Sequence, residues 1–261
     1  MSRLKALESR EDMMRIAALY DIHANLPALE AVLTEVRAAR VDRIVVGGDV
    51  LPGPMPRETL DLLYSLDIPS DFIIGNGDRE TAVAARGEVS SVIPEFFREA
   101  MKWNAAELQR RDLESIDSWP LTKQLTVDGI GEVLFCHATP RNDTEVFLKT
   151  TSDEKLRPIV DSLGVQLVVC GHTHMQFDRI VGRTRIVNAG SVGMPFQAAG
   201  AYWAVIGPGI SLRRTSYDLD RAAARVRATA CPQAAQCAAG ILAPPDEQAT
   251  LEQFKNAELS S

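Results

Sequence analysis

Four histidines occur in the 261-residue chain, His23, His137, His172 and His174, and each follows an apolar run of strand length. Asp21, Asp49 and Asn76 sit in the same way. Arg15 to Tyr20 leads into Asp21-Ile22-His23, Arg43 to Val46 into Gly47-Gly48-Asp49, and Phe72 to Ile74 into Gly75-Asn76-Gly77-Asp78. Glu132 to Cys136 leads into His137, and Leu167 to Cys170 into Gly171-His172-Thr173-His174. Loops at the carboxyl ends of parallel strands are where α/β sheets place their ligands. Two Asp, one Asn and four His make a mixed oxygen and nitrogen donor set, which suits Mn, Fe, Zn, Co or Ni. Seven donors are too many for one tetrahedral site and about right for two metals sharing a carboxylate. Each motif alone is ordinary loop chemistry; the joint pattern, with no histidine elsewhere, carries the reading.

The elements that must position these residues are legible as periodicity. Leu26, Leu29, Val32, Leu33 and Val36 recur at helical spacing after Pro27, and Glu58 to Leu66 reads as a second helix. Short apolar strands alternating with amphipathic helices imply a parallel sheet covered on both faces. Residues 79–121 depart from this rhythm. They read as a helical insertion of two helices, broken near Pro94 and ended at Pro120, with Phe96, Phe97 and Trp103 available either to line a lid or to pack the insertion down. Thr151 to Glu154 resembles a capping box, with Pro158 as a blemish inside the helix that follows. Phe177–Val181 and Thr184–Asn188 flank a Gly182-Arg183 turn, and Tyr202–Ile206 and Ser211–Tyr217 flank Gly207 to Gly209, so an antiparallel half is expected after the parallel one. The expected layout is one domain over residues 1–242, with a C-terminal helical segment at 218–242, followed by a loosely ordered polar tail at 243–261.

These blocks, in this order and spacing, resemble the calcineurin-like metallophosphoesterases, and Asn188-Ala189-Gly190-Ser191-Val192-Gly193 resembles a block of their small bacterial phosphodiesterase branch. The resemblance implies a four-layer α/β/β/α sandwich carrying two divalent transition metals, Mn favoured. It implies that Asp21, His23 and His174 hold the first metal, that Asn76, His137 and His172 hold the second, and that Asp49 bridges both. A hydroxide between the metals is then the nucleophile, attacking phosphorus in line. One departure matters: Gly77 stands where many members carry a histidine that acts on the leaving group or the phosphate. No spare imidazole remains, so Asp78, Arg79 and Arg141 are the polar candidates beside the metals, the two arginines as phosphate clamps. Restoring the family residue with Gly77→His is expected to favour monoesters, provided the loop tolerates a side chain.

The resulting expectation is a phosphodiesterase hydrolysing a small phosphate ester. The alternatives are a protein phosphatase, a dinucleoside polyphosphate hydrolase, or a metal-poor interaction scaffold of the same fold. Composition excludes other classes. The chain is 46% apolar, 24% charged and 6% aromatic, which is ordinary for a globular protein. A net charge of −7 disfavours bulk nucleic-acid binding. No run approaches the ~20 apolar residues of a membrane span. The first fifteen residues are charged and lack a signal-peptide core. Four cysteines without zinc-type spacing fit a reducing, cytoplasmic setting, with Cys136 and Cys170 read as packing residues. Homo-oligomer formation is left open by the sequence.

Overall fold

A computed structural model describes residues 13–89 and 95–259, apart from the side chain of Phe96. The expected helix break near Pro94 and most of the charged N-terminal stretch lie outside the described residues. Strands β1 (Ile16–Leu19), β2 (Arg43–Val46) and β3 (Ser70–Phe72) run parallel, and β9 (Ala201–Ile206) and β10 (Ile210–Thr215) join them antiparallel. The order in this first sheet is β10-β9-β1-β2-β3. The second sheet has the order β4-β5-β6-β8-β7, built from β4 (Thr122–Val127), β5 (Gly131–Cys136), β6 (Leu167–Cys170), β7 (Phe177–Val181) and β8 (Thr184–Asn188).

Period-two alternation sets the layers. Ile16, Ala18 and Tyr20 face the second sheet and pack with Val133, Phe135, Val169 and Val187. The intervening Ala17 and Leu19 face outward, against Leu29, Val32 and Val36 of α1 (Leu26–Ala38) and Leu60 and Leu63 of α2 (Pro56–Tyr64). On the far side, Leu134, Val168 and Ile186 pack against Leu156 and Ile159 of α6 (Asp153–Val160), a helix that contains Pro158. The result is the expected α/β/β/α sandwich. The Tyr20 hydroxyl donates to the Val169 carbonyl at 2.9 Å and ties the two sheets beneath the strand ends.

The structure corrects the sequence reading in four places. The helical insertion has three described helices: α3 (Asn76–Ala85), which begins at Asn76 itself, α4 (Glu95–Glu107) and α5 (Arg110–Ser118). Strand β4 follows it, unforeseen because an edge strand of alternating TKQLTV buries little. The parallel and antiparallel halves are not separate. β9 is buried along its whole length, so it returns to the first sheet beside β1, and β8 lies parallel to β6. The tail carries a helix. Helix α9 (Glu247–Phe254) is capped by Asp246 and buries Leu251 against Leu148 and Met175. The segment at 218–242 forms α7 (Leu219–Arg227) and α8 (Ala234–Leu242), which pack on each other through Ala223, Val226, Ala238 and Ile241. Among the described residues no helix is long and apolar enough to cross a membrane.

Candidate metal centre

The strand ends of both sheets meet at one point. Donor atoms of Asp21, His23, Asp49 and His174 lie within 4.8 Å of one another, and so do those of Asp49, His137 and His172, so Asp49 belongs to both groups. Asn76, the first residue of α3, places its amide 3.2 Å from His137 Nε2 and 3.0 Å from His172 Nδ1. All seven residues singled out by spacing are therefore together. Three imidazoles are oriented by main-chain carbonyls: Nδ1 of His23 faces Pro52 O at 3.1 Å, that of His137 faces Gly47 O at 3.0 Å, and that of His174 faces Met194 O at 2.6 Å. Each bond fixes the tautomer that leaves Nε2 as an electron-pair donor toward the cluster. The second carboxylate oxygen of Asp21 accepts the His172 backbone N–H at 2.9 Å, and Asp49 Oδ1 accepts that of Gly77 at 2.7 Å.

Three observations fit this donor set to cations. Asp21 Oδ1 is fully buried and receives no hydrogen bond: His174 Nε2 lies 3.3 Å away, but the Nδ1 proton of that ring is committed to Met194 O, so two electron-pair donors face each other, an arrangement proteins avoid unless something else satisfies the charge. The Nε2 atoms of His23 and His174 approach to 3.2 Å, two donors aimed at one point. Asp21, His23, Asp49, His172 and His174 all adopt positive φ, between 44° and 65°, a strained choice for non-glycine residues that concentrates at functional sites. The electrostatics agree. Burial and the neighbouring His174 push His23 down, and burial and His137 push His172 down to about 4, so both are neutral. Burial acts the same way on His137, but the Asp49 and Asp21 carboxylates outweigh it and favour positive charge beside that imidazole, where a cation would take the place of a proton. The two carboxylates, both held below the usual range by the imidazoles despite burial, thus demand positive charge at this point.

The other predicted residues take different places. Asp78 is buried; Oδ1 accepts the Leu51 N–H at 2.9 Å and Oδ2 the Gly75 N–H at 3.1 Å. Burial and the Asp49 charge push it up to about 8, and its contacts lock the Asp49 and Asn76 loops together. Arg79 makes a two-pronged pair with Asp143 (2.7 and 3.1 Å) and a bond to Glu80 (2.6 Å). Arg141 pairs with Glu145 at 2.6 and 3.1 Å. Neither guanidinium lines the cavity beside the cluster. A β-carbon on Gly77 would meet the Leu51 carbonyl oxygen at 2.3 Å, so the loop does not admit histidine there without backbone movement.

That cavity, about 430 Å³, opens on His23, Asp49 and Asn76 and runs between α4 and α8. Of the aromatic residues proposed for a lid, Phe97 lines it; Trp103 does not, and Met101 and Asn104 of the same helix do. The contribution of Cys231, Cys237 and Ile241 from the C-terminal segment was missed, because an alanine-rich helix carries no chemical signal.

A sandwich of this layering with a clustered oxygen and nitrogen donor set at one edge defines a class of metal-centred hydrolytic folds. Residues 14–207 match the family model of the calcineurin-like phosphoesterase superfamily domain, and the chain belongs to that family. A protein of Methanocaldococcus jannaschii, itself uncharacterized, is 27% identical over 202 residues, covering 69% of this chain and 76% of that one. The crystal structure of a metallophosphoesterase from Sphaerobacter thermophilus superposes with a TM-score of 0.70 at 26% identity, over 89% of this chain and 100% of that one. A hypothetical protein from Pyrococcus horikoshii OT3 shares the fold with a TM-score of 0.77 at 18% identity, over 90% and 100% of the two chains.

Proposed function

We propose that the chain is a metal-dependent phosphodiesterase acting on small phosphate esters. The observation that carries this reading is the seven-residue cluster with its orphaned, buried Asp21 oxygen. Asp21, His23 and His174 would hold one cation, Asn76, His137 and His172 a second, and Asp49 would join them. Bound divalent cations supply Lewis-acid activation of water and neutralisation of phosphoryl oxygens. The residues of the chain do the rest. Helix α3 begins at Asn76 within the cluster, and the positive end of its dipole favours an anionic phosphoryl group there. The carbonyls of Gly47, Pro52 and Met194 keep the imidazoles oriented through turnover.

All four histidines belong to the cluster, so none is left to protonate a leaving group. This favours esters that depart without a general acid, a form of help worth roughly 10²–10⁴-fold when present. A diester also carries less charge than a monoester dianion and meets less repulsion from a carboxylate-rich centre. A scaffold role is disfavoured, since an interaction surface has no need of five strained donor residues. Assay of metal-stripped protein on matched mono- and diesters, with each divalent metal restored in turn, tests the reading. Metal-dependent diester hydrolysis supports it; absence of turnover with every metal overturns it.

A further inference from the structure

The cavity that opens from the cluster is walled by apolar side chains that no ligand role explains. Phe97 and Met101 come from α4, Cys237 and Ile241 from α8, and Pro54 and Met194 from the loops between. Two of them, Phe97 at 51% and Met194 at 41%, are among the few large apolar side chains left exposed in the described residues. Exposed apolar surface beside a polar centre marks a place where an apolar group is recognised. Met101, Met194 and Cys237 line the same cavity as Phe97 and bring polarisable sulfur-bearing side chains to a wall that could receive another aromatic ring.

The charge of the wall is equally informative. Among the described residues no lysine or arginine lines the cavity, and Glu80 adds a carboxylate to that of Asp49. Glu80 is paired with Arg79, whose guanidinium is drawn away to Asp143. A substrate with phosphates beyond the scissile one, or with a carboxylate, would find no cation here and would bury its charge against apolar surface at high cost. The amides of Gln236 and Asn104 add neutral polar groups to the wall.

We propose that this cavity is the subsite for one ester group of the diester, and that it selects an uncharged, predominantly apolar group, an aryl group before an alkyl chain. The inference rests on the phosphodiesterase reading and adds the substrate class to it. Selection arises at α4 and α8, outside the metal ligands, and works against polyphosphate, phosphosugar and phosphopeptide substrates.

Binding of uncleavable analogues to the metal-loaded full chain, read by calorimetry, tests it. The probes are the monomethyl esters of methyl-, hexyl-, phenyl- and 4-carboxyphenylphosphonate, which share one phosphonate charge. The phenyl analogue should bind at least about tenfold tighter than the methyl one, as expected for burial of an aryl face. The hexyl analogue should fall between them, and the carboxylate should abolish most of the gain. Gly240 lines the cavity, and a β-carbon there meets nothing within 4 Å. Gly240→Ala should therefore keep the phenyl-to-methyl ratio, while Gly240→Asp should cut it to under about threefold. Repulsion of the phosphonate itself cancels in that ratio. Equal binding of phenyl and methyl analogues overturns the subsite and leaves the phosphodiesterase reading standing. Hexyl binding tighter than phenyl overturns the aryl preference. Failure of every analogue to bind, together with no hydrolysis of 4-nitrophenyl methyl phosphate, overturns both.

Discussion

Asp49 is the residue on which both halves of the cluster depend, since it alone belongs to both groups of donors. Asp49→Asn keeps a side-chain oxygen for the Gly77 N–H but removes the shared charge. We expect metal-dependent turnover to fall by roughly 10³-fold or more, as when a ligand is lost in metal-assisted hydrolysis. The rise in Tm on adding metal should vanish with it, because stabilisation by a bound ion follows its affinity for the native state. A variant that keeps the Tm rise and turnover would remove Asp49 from the centre. Gly77 gives a second residue-scale prediction. The Leu51 carbonyl leaves no room for a side chain, so Gly77→Ala should lower kcat/KM for diesters by about tenfold or more through displacement of Asn76. Gly77→His should fail to raise the monoester-to-diester ratio. A gain in that ratio with metal content unchanged would mean that the loop yields more easily than its packing implies. Arg141 is half-exposed and, among the described residues, its guanidinium pairs with Glu145 alone. Arg141→Ala should leave kcat/KM within about twofold, whereas a large rise in KM would restore it as a phosphate clamp.

Elements far from the cluster in sequence hold it in place. Phe254 of α9 contacts the Phe196 ring at 6.1 Å, and Phe196 stacks on His174 at 4.5 Å. The C-terminal helix thereby buttresses His174, a proposed metal ligand. Leu251→Ala should destabilise the chain by about 2–4 kcal/mol, the usual range for a buried leucine, and deletion of residues 243–261 should weaken metal retention at the His174 side. Denaturant unfolding and metal analysis of the two variants check this; unchanged metal content after the deletion would detach α9 from the site. The donors themselves were legible in the sequence because each stands where an apolar run stops. The supports were not. Helix α8 reads as any small-residue helix, and its place on the cavity follows from how α7 and α8 fold back. β9 finds β1 across more than 180 residues of chain, and no local pattern names that partner. β4 is an edge strand whose alternation buries only one face. Asp78 and Arg79 stood beside a ligand in sequence, yet their side chains serve loop geometry, a distinction only the tertiary contacts make.

At the scale of the whole molecule, the centre exists because two sheets are held with their strand ends in register. Part of that join is ionic. Asp71 of β3 meets Arg43 of β2 and, at 2.7 Å, Lys123 of β4 in the other sheet. Burial opposes its ionisation, but the two cations outweigh burial and hold its carboxyl below the usual range. A carboxyl depressed in the folded state contributes stability that is full above its unfolded value, near pH 4, and lost as pH falls through the folded one. The Tm gap between wild type and Asp71→Asn should therefore be wide at pH 7 and narrow toward pH 3; a gap independent of pH would contradict the ionic role. The sandwich buries a large apolar core without help from cations. Chelation should accordingly lower Tm while leaving the far-ultraviolet spectrum unchanged. The central claim, that this edge of the sandwich is a two-cation phosphodiesterase centre, is tested most directly by titrating metal-stripped protein with Mn²⁺ while following hydrolysis of 4-nitrophenyl methyl phosphate. The account predicts no turnover without metal and a rate that rises to saturation at about two equivalents of tightly bound metal. Turnover that is indifferent to metal, or saturation of the cluster by metal with no turnover, would contradict it.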